Sequence, residues 1–443
     1  MTETHAQKAT VDTLGPAKIP SPLPFGHFVP HECSLTMHVG PDILESSPQE
    51  DGFYSFEEAG PTETIYFDPS KTKCAIVTCG GLCPGINDVI RAIVLEAHFH
   101  YGISAILGIR YGLEGFMPAY GHEIWELNPA SVSEIHAFGG TILGSSRGPQ
   151  PPEEIVDALE RMNVNILFLI GGDGTMKAAS AINQEIRNRG LKVAIIGIPK
   201  TIDNDIYFVS RSFGFDSAVA KATEAISCAH TEAIGAPYGV GMVKLMGREA
   251  GFIAAEATLA MRDVNFVLIP EDPFELDGPN GLLHHLKDRL LKRGHAVIVV
   301  AEGAGQDLCR KEAQKNNGHI PTDASGNPVL EDICGLLQRK IKDYCHQEDI
   351  PLTLKFIDPS YIIRSIPADA SDNVYCGFLG QNAVHAAMAG KTNMVISKLQ
   401  DRYVHLPLEF VTQRRRTLNI RSNYWRAVIE STGQPISMRN DET

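Results

Sequence analysis

No stretch of the 443 residues is apolar for long enough to cross a bilayer. The longest runs, Ile166 to Ile170 and Ala296 to Ala301 among them, fall far short of the roughly 20 residues a spanning helix needs. Positive charge is also scarce. The 39 Lys and Arg face 53 Asp and Glu, and the net charge of −14 excludes a protein whose main affinity is for nucleic acid or an anionic membrane. The start, MTETHAQKATVD, lacks the basic stretch and apolar run of a secretory signal, so a cytoplasmic protein is expected. The nine cysteines are odd in number and scattered, which suits reduced thiols better than a disulfide framework. Cys79 and Cys83 have no second Cys or His pair at zinc-ligand spacing, and no metal role is expected of them. No internal repeat is evident.

At 43% hydrophobic residues the chain can bury a full core, and at roughly 150 residues per domain its length suits about three domains or fewer. Residues 1 to about 70 are rich in Pro, Gly, His and acids without a sustained period of 2 or 3.6, and read as an extended arm or small appendage. From Lys73 onward short β-rich runs alternate with helical stretches, the texture of a parallel α/β sheet. Strands are predicted at Ala75 to Thr78, Ile166 to Ile170, Val193 to Ile198, Val240 to Leu245, Phe266 to Ile269, Ala296 to Ala301 and Thr353 to Ile357. Between them lie amphipathic helices, such as Phe215, Val219, Ala222, Ile226 and Ala229, or Leu282 to Leu290 with Gly294 as its stop.

The chemically notable groups fall just after predicted strands: GGLCPG (Gly80 to Gly85), GGDGT (Gly171 to Thr175), PKTIDND (Pro199 to Asp205), MGR (Met246 to Arg248) and Glu302. In an open α/β sheet that edge binds ligands. GGLCPG lets backbone amides approach a phosphate at a helix start, although it is neither a Walker A loop nor GxGxxG. In GGDGT, Asp173 is an anchor for Mg²⁺, which takes few protein oxygens and keeps phosphate oxygens and water, while Gly172, Gly174 and Thr175 offer amides and a hydroxyl. Asp203 and Asp205 stand at i and i+2. A carboxylate there can take the proton of an attacking hydroxyl, and Asp203 is the candidate base. Phosphoryl transfer also needs cations against the equatorial oxygens. Arg248 and Arg147 suit that task, and Lys355, Tyr361 and Arg364 of KFIDPSYIIR form a cluster suited to a sugar phosphate. Taken singly, each motif has a bland alternative: a tight turn, an Asx-rich cap or a surface ion pair.

In this order the five motifs GGLCPGIN, GGDGT, PKTIDND, MGR and KFIDPSYIIR resemble the 6-phosphofructokinases, in particular the ATP-using branch closer in sequence to the pyrophosphate-using enzymes. GGDGT alone also occurs in NAD and lipid kinases. The resemblance implies two similar Rossmann-like parallel-sheet domains with the active site in the crevice between them, plus the N-terminal extension of residues 1–70. Residues 71–214, completed by about 366–415, would bind MgATP; residues 215–365, completed by about 416–443, would bind fructose 6-phosphate. It further implies that Gly81, Arg147, Gly148 and Gly172 to Thr175 line the nucleotide, with Asp173 on Mg²⁺, and that Asp203 accepts the C1 hydroxyl proton. Thr201, Ile202, Asp205, Met246, Gly247, Arg248, Glu302, Lys355, Tyr361 and Arg364 would hold the sugar phosphate and the group in transit.

Donor choice turns on two positions. Gly174 leaves space for the α-phosphate of a nucleotide where an Asp would obstruct it, and favours ATP; Lys200 is similar to what pyrophosphate enzymes carry. A block excludes a ligand whereas an added cation only assists one, so ATP is expected. The alternatives are a pyrophosphate-dependent enzyme and a non-catalytic regulatory subunit. Tyr361 and Lys355 stand where short bacterial members have His and Arg, and Gly239 replaces an expected Arg. A homodimer or homotetramer is implied.

Overall fold

Ile166–Gly171 and Ala194–Pro199 are buried at every position, as unbroken Ile, Leu and Val runs must be when both faces of a parallel sheet are covered. In the computed structural model, which describes residues 7–24, 27–30, 33–39, 52–315 and 329–440, they lie at the centre of a ten-stranded sheet. The spatial order is Gln7–Ala9, Gly52–Glu58, Arg402–Pro407, Met394–Leu399, Ala194–Pro199, Ile166–Gly171, Lys73–Thr78, Ala105–Ile109, Ile124–Glu126, with Ser34–Val39 paired onto Gly52–Glu58. The five strands from Met394–Leu399 to Ala105–Ile109 are mutually parallel; the outer ones join by antiparallel pairing, except that Gln7–Ala9 runs parallel to Gly52–Glu58. Thr78, Gly171 and Pro199 therefore end at one edge, in register: Ile170 sits opposite Thr78 and Gly171 opposite Pro199.

A second sheet has four parallel strands, ordered Phe266–Leu268, His295–Ala301, Gly239–Leu245, Thr353–Ile357. Its core gathers Val240, Met242, Ile298 and Val300 with Leu282, Leu286 and Leu290 of the helix Leu282–Arg293, which ends at the left-handed Gly294 as its sequence indicates.

The chain divides into two units that it enters more than once. One comprises Met1–Ile202, Ile206–Ser217 and Arg364–Arg416; the other comprises Asp203–Asp205, Ala218–Ile363 and Thr417–Thr443. Each is a parallel-sheet α/β unit. The seven predicted strands are present; Thr353 to Ile357 matches at both ends, and the other six differ by one or two residues at an end, as where Val193 to Ile198 becomes Ala194–Pro199 and Ala75 to Thr78 becomes Lys73–Thr78. Composition leaves residues 1–70 as an extended arm or small appendage, and their described part is built into the fold. It supplies six strands, of which Gly52–Glu58 continues the large sheet through Glu57 and Glu58 against His405 and Val404. Among the described residues no helix is long and apolar enough to cross a membrane.

Candidate active site

In the larger unit the loops after three neighbouring strands meet. Cys79 N–H donates to Ile170 O at 2.9 Å and Gly80 N–H to Ser146 O at 3.1 Å, while Ser145 Oγ donates to Gly80 O at 2.6 Å. The glycine loop is thus sewn to the GSSRG loop. Arg147 and Arg364 both reach it: their guanidinium nitrogens lie 3.5 and 3.9 Å from where a side chain on Gly81 would begin. Arg364, grouped by sequence with the sugar-phosphate residues, here stands beside the glycine loop. Lys200 is only 5% exposed, and its Nζ donates to Gly81 O at 2.6 Å while its backbone N–H donates to Gly171 O at 2.9 Å. Rather than simply facing a donor phosphate, Lys200 grips the loop that would cradle one.

Asp173 opens the helix Asp173–Asn188, where the exposed N–H groups favour negative charge. Its carboxylate is 2.8 Å from Lys177 Nζ and 3.9 Å from Arg415 Nε. No cluster of three or more His, Cys, Asp or Glu able to hold a metal exists among the described residues. The donor set therefore fits Mg²⁺ carried mainly by phosphate oxygens and water, with one carboxylate as anchor, and does not fit a protein-caged metal. Next to it, a side chain at Gly174 would meet nothing within 4 Å. Thr175 is buried, its hydroxyl packed on the backbone of Gly171 at the strand end.

Asp372 supports this region from the helix Ala370–Met388, and sequence reasoning passed it over. Its Oδ1 accepts Gly214 N–H at 2.8 Å; its Oδ2 accepts Ser217 N–H at 2.8 Å and Ser217 Oγ at 2.6 Å. It thereby holds the start of the helix Phe215–Ile234, next to Phe213, which bridges Lys200. Burial pushes its carboxyl up to about 6 against the pull of these donors.

The other unit gathers Met246, Gly247, Arg248 and Glu302. Glu302 N–H donates to Leu245 O at 2.9 Å and Gly303 N–H to Gly247 O at 3.0 Å, so the loop after one strand lies on the loop after its neighbour. Gly247 has φ +131°, and a side chain there would press on Ala250 O at 2.6 Å; this turn needs glycine. Lys244, hidden from sequence inspection in an apolar strand, pairs with Asp358 at 3.1 Å, and the charge of Glu302 acts on it as well. Glu271 was missed too. It is half-buried, and desolvation raises its carboxyl to about 7 although backbone N–H groups of Leu418 and Gly251 pull it down. Asp203 and Asp205, which cluster with this unit, are half-buried while Ile202 and Asn204 are buried. Thr201 and Ile202 fall in the larger unit. Lys355 lies 3.8 Å from Glu232, and Tyr361 is 78% exposed.

The sequence model for Phosphofructokinase matches residues 73–387. An ATP-dependent 6-phosphofructokinase of Borreliella burgdorferi is 49% identical over 97% of this chain and 97% of its own. One of Amycolatopsis methanolica is 50% identical over 86% of this chain and 83% of its own. In fold, the chain is similar to a pyrophosphate-dependent phosphofructokinase of Marinobacter aquaeolei, with a TM-score of 0.67 at 19% identity over 82% of this chain and 91% of that one.

Proposed function

This chain belongs to the phosphofructokinase family, and on that footing we propose that it transfers the terminal phosphoryl group of ATP to O1 of fructose 6-phosphate, giving fructose 1,6-bisphosphate and ADP. The observation that carries the reading is the 49% identity with an ATP-dependent relative across 97% of both chains. The open space at Gly174 supports the same donor.

The O1 hydroxyl attacks the γ-phosphorus in line. The O1–P bond forms as the bond to the β,γ-bridging oxygen breaks, ADP departs, and Asp203 takes the O1 proton. Arg248 and Arg147 counter the charge on the equatorial oxygens. Gly81, Gly148 and Gly172 to Thr175 line the nucleotide, with Lys200 keeping the Gly81 loop in place. Asp173 would hold Mg²⁺, which when bound neutralises phosphate oxygens. Thr201, Ile202, Asp205, Met246, Gly247, Glu302, Lys355 and Tyr361 bind the sugar phosphate, and Arg364 serves the phosphate groups from beside the glycine loop. In this reading the larger unit takes the nucleotide and the smaller one the sugar phosphate. The protein acts in the cytoplasm as a homodimer or homotetramer, which light scattering on the purified chain tests.

A coupled assay with fructose 6-phosphate and Mg²⁺ compares ATP with pyrophosphate. ATP is expected to support turnover and pyrophosphate about 1% of it or less. Turnover with pyrophosphate alone would replace the donor; binding of fructose 6-phosphate without turnover from either donor would make the chain a regulatory subunit.

A further inference from the structure

Glu271 follows the strand Phe266–Leu268 at the carboxyl edge of the smaller sheet, outside every motif. Its carboxylate is fully committed to backbone. Oε1 accepts Gly251 N–H at 3.0 Å and Leu418 N–H at 2.7 Å, and Oε2 shares Gly251 N–H at 3.1 Å. Gly251 is where the loop carrying Met246, Gly247 and Arg248 turns into the helix Phe252–Met261, and Gly251 itself, as N-cap, has no side chain to cap that helix. A carboxylate beside this N-terminus also meets the favourable end of the helix dipole. The backbone is pressed close: a side chain on Gly251 would strike Ile269 and come within 3.1 Å of Glu271 Oε2. At its other end the loop is pinned by Gly303 N–H on Gly247 O at 3.0 Å.

We infer that Glu271 is a positioning residue for fructose 6-phosphate, fixing through Gly251 the loop that presents Arg248. The inference rests on the proposed reading of Met246 to Arg248 as part of the acceptor site. Arg248 lies three positions before Gly251, between the two fastenings. Without Glu271 the backbone at Gly251 is freer to swing, because the glycine there offers no side chain to pack. Two carboxylate oxygens on one N–H restrict that swing, and the second partner, Leu418, ties the same oxygen to the segment Thr417–Thr443. Glu271 touches no substrate in this scheme; it acts on affinity through the backbone of the loop.

The test is steady-state kinetics on the full chain with ATP and fructose 6-phosphate, beside thermal melts. Glu271→Ala is expected to raise KM for fructose 6-phosphate about tenfold or more while KM for ATP stays within about twofold. Glu271→Gln, which keeps an oxygen for Gly251 and Leu418, should recover most of that loss. A folded Glu271→Ala with both KM values unchanged, or with both raised alike, overturns the inference. Should that variant fail to fold, Glu271→Asp decides: one methylene shorter, it cannot reach both amides, and KM for fructose 6-phosphate should rise about threefold or more with KM for ATP unchanged, whereas no rise overturns the inference. Absence of turnover in the unmutated chain is a different failure, visible before any substitution; it removes the proposed function and this inference with it.

Discussion

The ammonium group of Lys200 donates to the carbonyl oxygen of Gly81 across 2.6 Å, joining the end of one central strand to the glycine loop after another. A charge-assisted bond to a backbone carbonyl fixes the loop's peptide planes, and with them the direction of its amides. Lys200→Met should therefore raise KM for ATP about tenfold or more and leave KM for fructose 6-phosphate nearly unchanged, read by initial rates. An unchanged KM for ATP would mean that the loop keeps its shape unaided.

Gly174→Asp tests donor choice with little risk to folding. The Cβ of the new side chain meets nothing within 4 Å, and an acid in the first turn of Asp173–Asn188 suits the helix dipole. The melting temperature is expected to hold while ATP turnover falls about 100-fold or more, since the added carboxylate repels and obstructs the nucleotide's phosphates. Undiminished ATP turnover would end the steric argument.

Asp203→Ser removes the proposed proton acceptor. Turnover should drop by about three orders of magnitude or more with nucleotide binding intact, measured by single-turnover kinetics and calorimetry. Turnover within about tenfold of the unmutated chain would assign the base elsewhere.

Two acids make opposite contributions along the pH axis. Burial works to raise Glu57, but His405, 3.6 Å away, and Lys391, whose Nζ donates to it at 2.6 Å, prevail and hold the carboxyl at about 2 against an ordinary 4.5. Its stabilisation is complete above 4.5 and is lost as pH falls toward about 2. Asp372 goes the other way: with its carboxyl raised from 3.8 to about 6, its contribution is complete below 3.8 and declines as pH rises through about 6. In chemical melts, Glu57→Gln should flatten the acid limb, and Asp372→Ala should flatten the dependence between 3.8 and about 6. Asp372→Ala should also cost about 1–3 kcal/mol by stranding the Gly214 and Ser217 donors.

The strand ends and their loops were legible because both signals are local: continuous Ile, Leu and Val runs mark doubly covered strands, and glycine with acid immediately after them marks the ligand edge. Residues 7–65 were not. Asp12–Thr13 and Ile19–Pro20 are too short to show a period, and the first exists through a partner far along the chain, Lys391–Thr392. Glu271, Asp372 and Lys244 were unreadable for a related reason. Two of them act on backbone amides 20 and 158 positions away, and those amides carry no sequence signature. Arg364 belongs to a motif that sequence placed as one block, yet the chain changes unit between Ile363 and Arg364.

The pairing of Glu57 and Glu58 with His405 and Val404 has a practical side. A version cloned from residue 71 would contain every recognisable motif but leave Arg402–Pro407 as a bare rim, its amide and carbonyl groups open to any neighbouring molecule. Such a trimmed protein should precipitate or form sheet-linked aggregates on purification, which size-exclusion chromatography checks.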